Sequence, residues 1–533
     1  MTMDAHENEN LAALLKAFPP NSDTKSDNPA IRIYGKRFYK DQTPIEYLAE
    51  FLLVFASPKR KNGENGEGRF QFSLCCDANE TPHYWPENRV ALKLFSFFPS
   101  SKLETRHPVH RQAYLDAIEA IKDRISENNQ EKGEIVRLIQ SLFSGFVGVA
   151  KNRTWVTYSF LPVSTGLLSR EVNWEHIKSL KDGKNKVVDW ESSIGFFADN
   201  SRNFMGRGGE LLYLQIVNYL TNPHSLDIQE MLNLDAYHHL KINIEDLNTN
   251  LSKNLESLLE DCMGGFSGLV NFIEITLDKY KINTDLKSSN LGWVPAISRV
   301  EGALFSIEMN NICSSKLGVL DKIDLLQTLC CMQVLRSLCF QARRIDVSEK
   351  TTKGFIGNYV WIVTDAEAKP GTPIRQMAQN SFNRIDAMLY RVLRIPDLFK
   401  NKVFPKEKEL KNGDDNVFRH FRKFSKEIGL VIPQKGSGQR FTLDQRLLRF
   451  LIAALVRPGE RIRLNHFYQR VFAHYGIALG GEQLAVALRW CGNEVDAETY
   501  SITADTAWVE EALQQGGFLV ELSDAVSMVK NPG

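Results

Sequence analysis

Several short stretches of this chain combine residue types that could hold a phosphate or a metal ion. Arg202 and Arg207 flank the glycines of RNFMGRGGELLYLQIVNYL, in which Gly208 and Gly209 lead into a strongly apolar run. Free backbone N–H groups at a helix start, with two guanidinium groups beside them, can bind an anion. No Lys-Ser/Thr follows the glycines, so this is not the order of a phosphate-cradling loop. A tight turn into a buried helix is the simpler reading. Farther on, Arg419, His420, Arg422 and Lys423 alternate with Phe418, Phe421 and Phe424. Cations interleaved with aromatic rings suit base stacking beside phosphate contact. The plainer alternative is an amphipathic helix with its phenylalanines packed inward and its charges in water. Arg461, Arg463 and Arg470 extend the basic side.

Metal and nucleophile chemistry finds less support. His107 and His110 (RHPVHR) could form a ligand pair, but no cysteine or third histidine is spaced to close a site. Their place at a helix start suits capping or surface roles. Glu407 and Glu409 sit in a basic segment. Glu274 and Asp278 sit in the apolar NFIEITLD with a lysine at the wrong offset for a metal-dependent nuclease. There is no serine nucleophile elbow, Walker sequence or dinucleotide fingerprint. No metal and no cofactor is expected, and the enzyme reading is weak.

The elements that must position these residues follow from composition and pattern. The 533 residues carry 43% hydrophobic and 24% charged side chains, ordinary for a globular chain. A net charge of +1 means that any contact with a polyanion must be local. The eight cysteines contain no CxxC pair and mostly lie in apolar runs, as buried reduced thiols do. The start lacks a basic region followed by an apolar core, and the longest apolar runs fall well short of about 20 residues. The expectation is a cytoplasmic protein with no membrane segment.

In chain order, residues 1–29 read as a flexible arm and 30–200 as a mixed α/β domain. That domain has a hairpin at Ile31–Tyr39, a capped helix from Thr43, strands at Phe70–Cys75, Val90–Phe97 and Trp155–Leu161, and helices from Pro108 and Glu134. Residues 201–395 read as a helical body with a short strand at Tyr359–Thr364. Its longest helix, Asp321–Arg344, carries a buried face at about 3.6 residues per turn. Residues 396–440 read as a basic linker, with eleven Lys and Arg against six Asp and Glu. The fold class expected is α+β, predominantly helical.

The last segment, 441–533, shows helices at Leu443–Val456, Asn465–Tyr475 and Gly481–Trp490. A strand candidate follows at Thr499–Thr503, then a helix at Ala504–Gln515 and a final strand in FLVEL. Three short helices followed by strands resemble a winged helix. With eight Lys and Arg against eleven Asp and Glu, and only Arg489 on the third helix, it would be a poor reader of DNA by itself. Holding a protein partner, or supporting DNA contact by the basic segment before it, fits the charge better.

The tail FLVELSDAVSMVKNP, with RGGELLYLQ and LQTLCCMQVLRSLC, resembles accessory proteins of bacterial anti-phage defence operons. That resemblance implies a non-catalytic accessory or scaffold subunit of a defence complex, beside a separately encoded ATPase, helicase or nuclease, with DNA as a further partner. A second resemblance is narrower. His239, Lys241 and Asp246 (HLKINIED) fit the HxKxxxxD spacing of phospholipase D-like nucleases, in which the histidine is the nucleophile and the lysine holds phosphate. The following residues read as helical, no glycine follows, and no second HxK supplies the partner half-site. A winged-helix transcriptional regulator with a large sensor body is the remaining alternative.

Overall fold

Four helices that are apolar on more than one side form the centre: α1 (Pro44–Ala56), α2 (Gly208–Thr221), α3 (Arg299–Cys313) and α4 (Val319–Ile345). They are seen in a computed structural model. It describes residues 11–35 apart from 12, 21, 23 and 25; 38; 42–60; 67–76; 80–98; 104; 106–144; 160–170; 172–174; 187–198; 208–260; 264–282; 288–346; 354–399; 403–491; 507–521; and 527–532. Over these residues the chain is predominantly helical, with strands of two to four residues in small sheets. Helix α4 is long and apolar enough to cross a membrane by composition, but 89% of its apolar window is buried inside the fold. It is the core helix of this body.

Glycine sets how closely the central helices approach. A Cβ on Gly302 of α3 would lie 2.0 Å from the Gln215 carbonyl oxygen of α2, and one on Gly209 of α2 would lie 2.5 Å from the Tyr47 carbonyl oxygen of α1. Both crossings therefore bring backbone against backbone, which only a residue without a side chain permits. Helix α1 begins as its sequence promises: Pro44 takes the first helical position and the Thr43 N–H donates to Glu46 Oε2 at 2.7 Å.

Several expectations are corrected. Ile31–Tyr39 is not a hairpin: Asn28 caps a helix over Pro29–Tyr34 that ends at Gly35. Val90–Phe97 is a helix, because an apolar run buried on all sides has no period to separate strand from helix. Phe70–Cys75 is irregular, with Phe70 and Cys75 both at positive φ. Of Tyr359–Thr364, only β1 (Trp361–Ile362) is strand. The strand expected at Trp155–Leu161 lies mostly, and that at Thr499–Thr503 wholly, outside the described residues. The helices expected from Pro108 and Glu134 are present as Pro108–Asp123 and Asn129–Ser144.

Beyond α4, helix α5 (Pro373–Val392) is followed by the segment expected as a basic linker. That segment instead holds α6 (Glu407–Asn416) and α7 (Phe418–Glu427). Helix α7 packs against α4 and α5 because Phe421 and Phe424 are wholly buried. The C-terminal region then runs through α8 (Gln445–Leu455), β2 (Arg461–Arg463), α9 (Leu464–Tyr475), β3 (Ile477–Ala478), α10 (Gly481–Trp490), α11 (Ala507–Gln515), β4 (Leu519–Glu521) and β5 (Ser527–Lys530). Strand β5 is central, antiparallel to both β2 and β4.

This region is joined tightly to the body. Helix α8 packs on α3 and α4, β3 pairs in parallel with β1, and Asn311 of α3 donates to the Ala454 carbonyl at 2.8 Å.

Candidate functional site

Where charges sit decides which of the expected sites survive. Helix α7 turns its rings inward, as the plainer reading has it, and most of its cations are spent within the chain. Arg419 pairs with Asp415 at 2.7 Å, and Arg422 grips Asp386 of α5 through two bonds of 2.6 Å. Lys423 lies 3.9 Å from Glu427, and His420, fully buried, bonds the Tyr47 hydroxyl at 3.0 Å. Arg470 is likewise held, by Glu460 through bonds of 3.0 and 2.8 Å. Arg461 and Arg463 differ. Both are exposed on the edge strand β2, and neither meets a carboxylate among the described residues. Arg461 stands opposite Lys530 of β5, which puts three cations on one face of the sheet.

The anion candidate at α2 is already filled from within. The Gly208 N–H donates to Gln42 Oε1 at 2.9 Å and the Gly209 N–H to Glu50 Oε2 at 3.1 Å. Glu50 thus supplies the acceptor at this helix start. Burial first, then the neighbouring Glu210, push its carboxyl well above the usual range. The two glycines serve the crossing with α1, and Arg202 and Arg207 lie outside the described residues.

The HxKxxxxD residues do not assemble. His239 lies on a 3-10 turn (Asp235–Leu240), not a strand, and Asp246 lies in the first turn of the helix Ile244–Leu259. Lys241 and Asp246 are exposed, and among the described residues neither bonds the His239 ring. His107 caps its helix by accepting from Val109 N at 3.3 Å, and His110 packs among Trp174, Trp190 and Phe197.

His239 belongs to a network that sequence reading missed. Its Nε2 lies 2.8 Å from Nε2 of His474, near the end of α9, and His474 Nδ1 lies 2.6 Å from Glu308 Oε1 on α3. A carboxylate only accepts, so His474 carries its proton on Nδ1 and presents a lone pair at Nε2. His239 then donates Nε2–H to it. Arg336 of α4 closes on Glu308 with bonds of 2.7 and 2.9 Å. Its other donors go to Gln333 and to the His474 carbonyl, and the guanidinium lies over the Tyr475 ring. The chain of bonds continues through Gln333, Gln215 of α2 and Ser337 to Glu301 of α3, which also accepts from Gln341 and Arg344.

The electrostatics follow from burial. Burial works to raise the Glu308 carboxyl, but the Arg336 charge and the His474 hydrogen bond hold it below its ordinary value. Glu301, with Arg344 opposing, is raised by burial. Burial pushes His474 down despite Glu308, and drives His239 to about 2, helped by His474, Arg470 and Arg457. Both imidazoles are therefore neutral near pH 7. A carboxylate-oriented imidazole can act as a base, but His474 is 1% exposed and its free nitrogen is taken by His239. What the network does is tie three body helices and the 3-10 turn to the end of α9.

A signal for it existed in the sequence. Glu301 and Glu308 stand two turns apart in one apolar helix, and Gln333, Arg336 and Ser337 share about one turn of another. Among the described residues no three His, Cys, Asp or Glu side chains gather to hold a metal ion. No protein-family model matches the chain, and no curated protein and no solved structure matches it.

Proposed function

We propose that this chain is a non-catalytic accessory or scaffold subunit, acting in the bacterial cytoplasm as part of an anti-phage defence complex. Its C-terminal region, read as a winged-helix-like module, contacts DNA phosphates through one sheet face and a helicase or nuclease partner elsewhere. The observation that carries the DNA contact is the face formed by Arg461, Arg463 and Lys530. Like charges placed opposite each other across two strands are unfavourable unless an anion lies between them. The other cations first considered for that role are paired or buried. A sheet in the order β2-β5-β4, with β2 between α8 and α9 and the other two strands after the helices, supports the winged-helix reading.

The phosphodiesterase alternative loses support because the His239 ring nitrogen is committed to His474. Fluorescence anisotropy of labelled single- and double-stranded DNA across a salt series tests the proposal. Weak, salt-dependent binding that an Arg461→Glu/Arg463→Glu variant abolishes is expected. Absence of salt-dependent binding, together with no ATPase, helicase or nuclease co-purifying from the native host, would sink it.

A further inference from the structure

A cleft of about 100 Å³ lies far along the chain from the C-terminal face, between the end of α1, the turn before the helix Val90–Phe97, and residues near Thr165. Its floor is apolar, from Leu53 and Leu168, and the half-buried Trp85 forms a wall. Two guanidinium groups, Arg69 and Arg89, line it, with the single carboxylate Glu87.

The two arginines retain unused donors. Arg69 spends Nε on the Ala56 carbonyl at 3.1 Å, and its terminal nitrogens bond no described residue. Arg89 reaches the half-exposed Glu87 through NH2, while its Nε is buried with no hydrogen-bond partner. A buried N–H of a permanent cation without an acceptor is costly. Arg89 also sits at φ 46, a left-handed conformation that a long side chain rarely adopts. Phe70, beside Arg69, shares that conformation at φ 54. Backbone strain of this kind concentrates where side chains are aimed at ligands.

We propose that this cleft binds a small organic anion: a flat apolar body against Trp85, Leu53 and Leu168, with one carboxylate or phosphate group accepting from the terminal nitrogens of Arg89 and Arg69. A planar guanidinium meets either oxyanion through paired bonds. The enclosed volume of about 100 Å³ suits a ring-sized body. Glu87 at the rim holds Arg89 until the ligand's own anionic group replaces it, and then swings into water.

The test uses the full chain and ligand-observed NMR with three probes: 4-fluorobenzoate, phenyl phosphate and inorganic phosphate. Binding of one or both ring compounds at millimolar concentration or below is expected, and which of the two binds tighter separates carboxylate from phosphate ester. Arg89→Gln should weaken it about tenfold or more, since a charge-assisted hydrogen bond is lost. Leu168→Trp, which fills the floor and leaves both arginines in place, should abolish it, so the proposal stays testable if Arg89→Gln fails to fold. Absence of binding by either ring compound overturns the proposal, as does binding that Leu168→Trp leaves unchanged. Binding of inorganic phosphate alone also overturns it, because the aromatic wall would then have no part.

Discussion

Glu308 and Arg336 meet through two hydrogen bonds, of 2.7 and 2.9 Å, with both side chains wholly shielded from water. Neither could be buried alone, so each is the condition for the other. Glu308→Gln leaves the Arg336 guanidinium without its counter-charge and is expected to cost about 3–5 kcal/mol. A double replacement, Glu308→Leu with Arg336→Met, should cost far less than the single change, because no unpaired charge remains. Urea unfolding of the three proteins measures both. Equal losses from the single and double variants would show that packing rather than charge pairing sets the cost.

Acid should loosen the contact between α9 and the body. An unfolded histidine titrates near 6.5, whereas folded His239 is pushed to about 2 and His474 is also lowered. Below pH 6.5 the unfolded chain therefore binds protons that the folded chain refuses. The stability of the neutral pair is complete above pH 6.5 and drains away as pH falls toward the folded values, by about 1.4 kcal/mol per pH unit for each histidine. Protonating both rings would also set N–H against N–H at the 2.8 Å contact. Melting temperature measured from pH 7.5 to 5 should fall more steeply for the natural chain than for a His239→Gln variant. Parallel slopes would contradict this account.

Two glycine replacements should have opposite signs. Gly302→Ala drives a Cβ to within 2.0 Å of a backbone oxygen and is expected to cost ~1–3 kcal/mol or more. Gly133 lies in the exposed helix Asn129–Ser144, and a Cβ added there would meet nothing within 4 Å. Gly133→Ala should therefore stabilise by about 0.5–1 kcal/mol through helix propensity. Thermal melts of the two variants, compared with the natural chain, decide the matter.

The salt dependence of DNA binding should be shallow. Three cations on the β2 and β5 face can neutralise few phosphates, so the slope of log K against log salt should be no steeper than about −3 on duplex DNA. Arg422→Ala should leave that slope unchanged, because Arg422 is held by Asp386. It should instead lower stability, because the more buried Asp386 loses its bidentate partner. A slope that Arg422→Ala flattens would return the basic helix α7 to the binding surface.

The sequence by itself determined the elements whose signals are local. The start of α1 at Thr43-Pro44, the long apolar period of α4 and the inward rings of α7 could be read from neighbours a few residues apart. Local pattern failed where an apolar run had no period, as at Val90–Phe97, and where a cap decided the conformation, as Asn28 did before Pro29–Tyr34. The tertiary structure alone decided which charges are free. Arg422 and Asp386 are 36 positions apart, His474 and Glu308 are 166, and His239 and His474 are 235. Charge pairing and burial depend on what the fold brings within about 3 Å, and no count along the chain contains that distance. The same reason explains why a spacing that resembled a nuclease motif dissolved. His239, Lys241 and Asp246 are near in sequence, but the 3-10 turn carries the His239 ring to His474, while Lys241 and Asp246 remain in water.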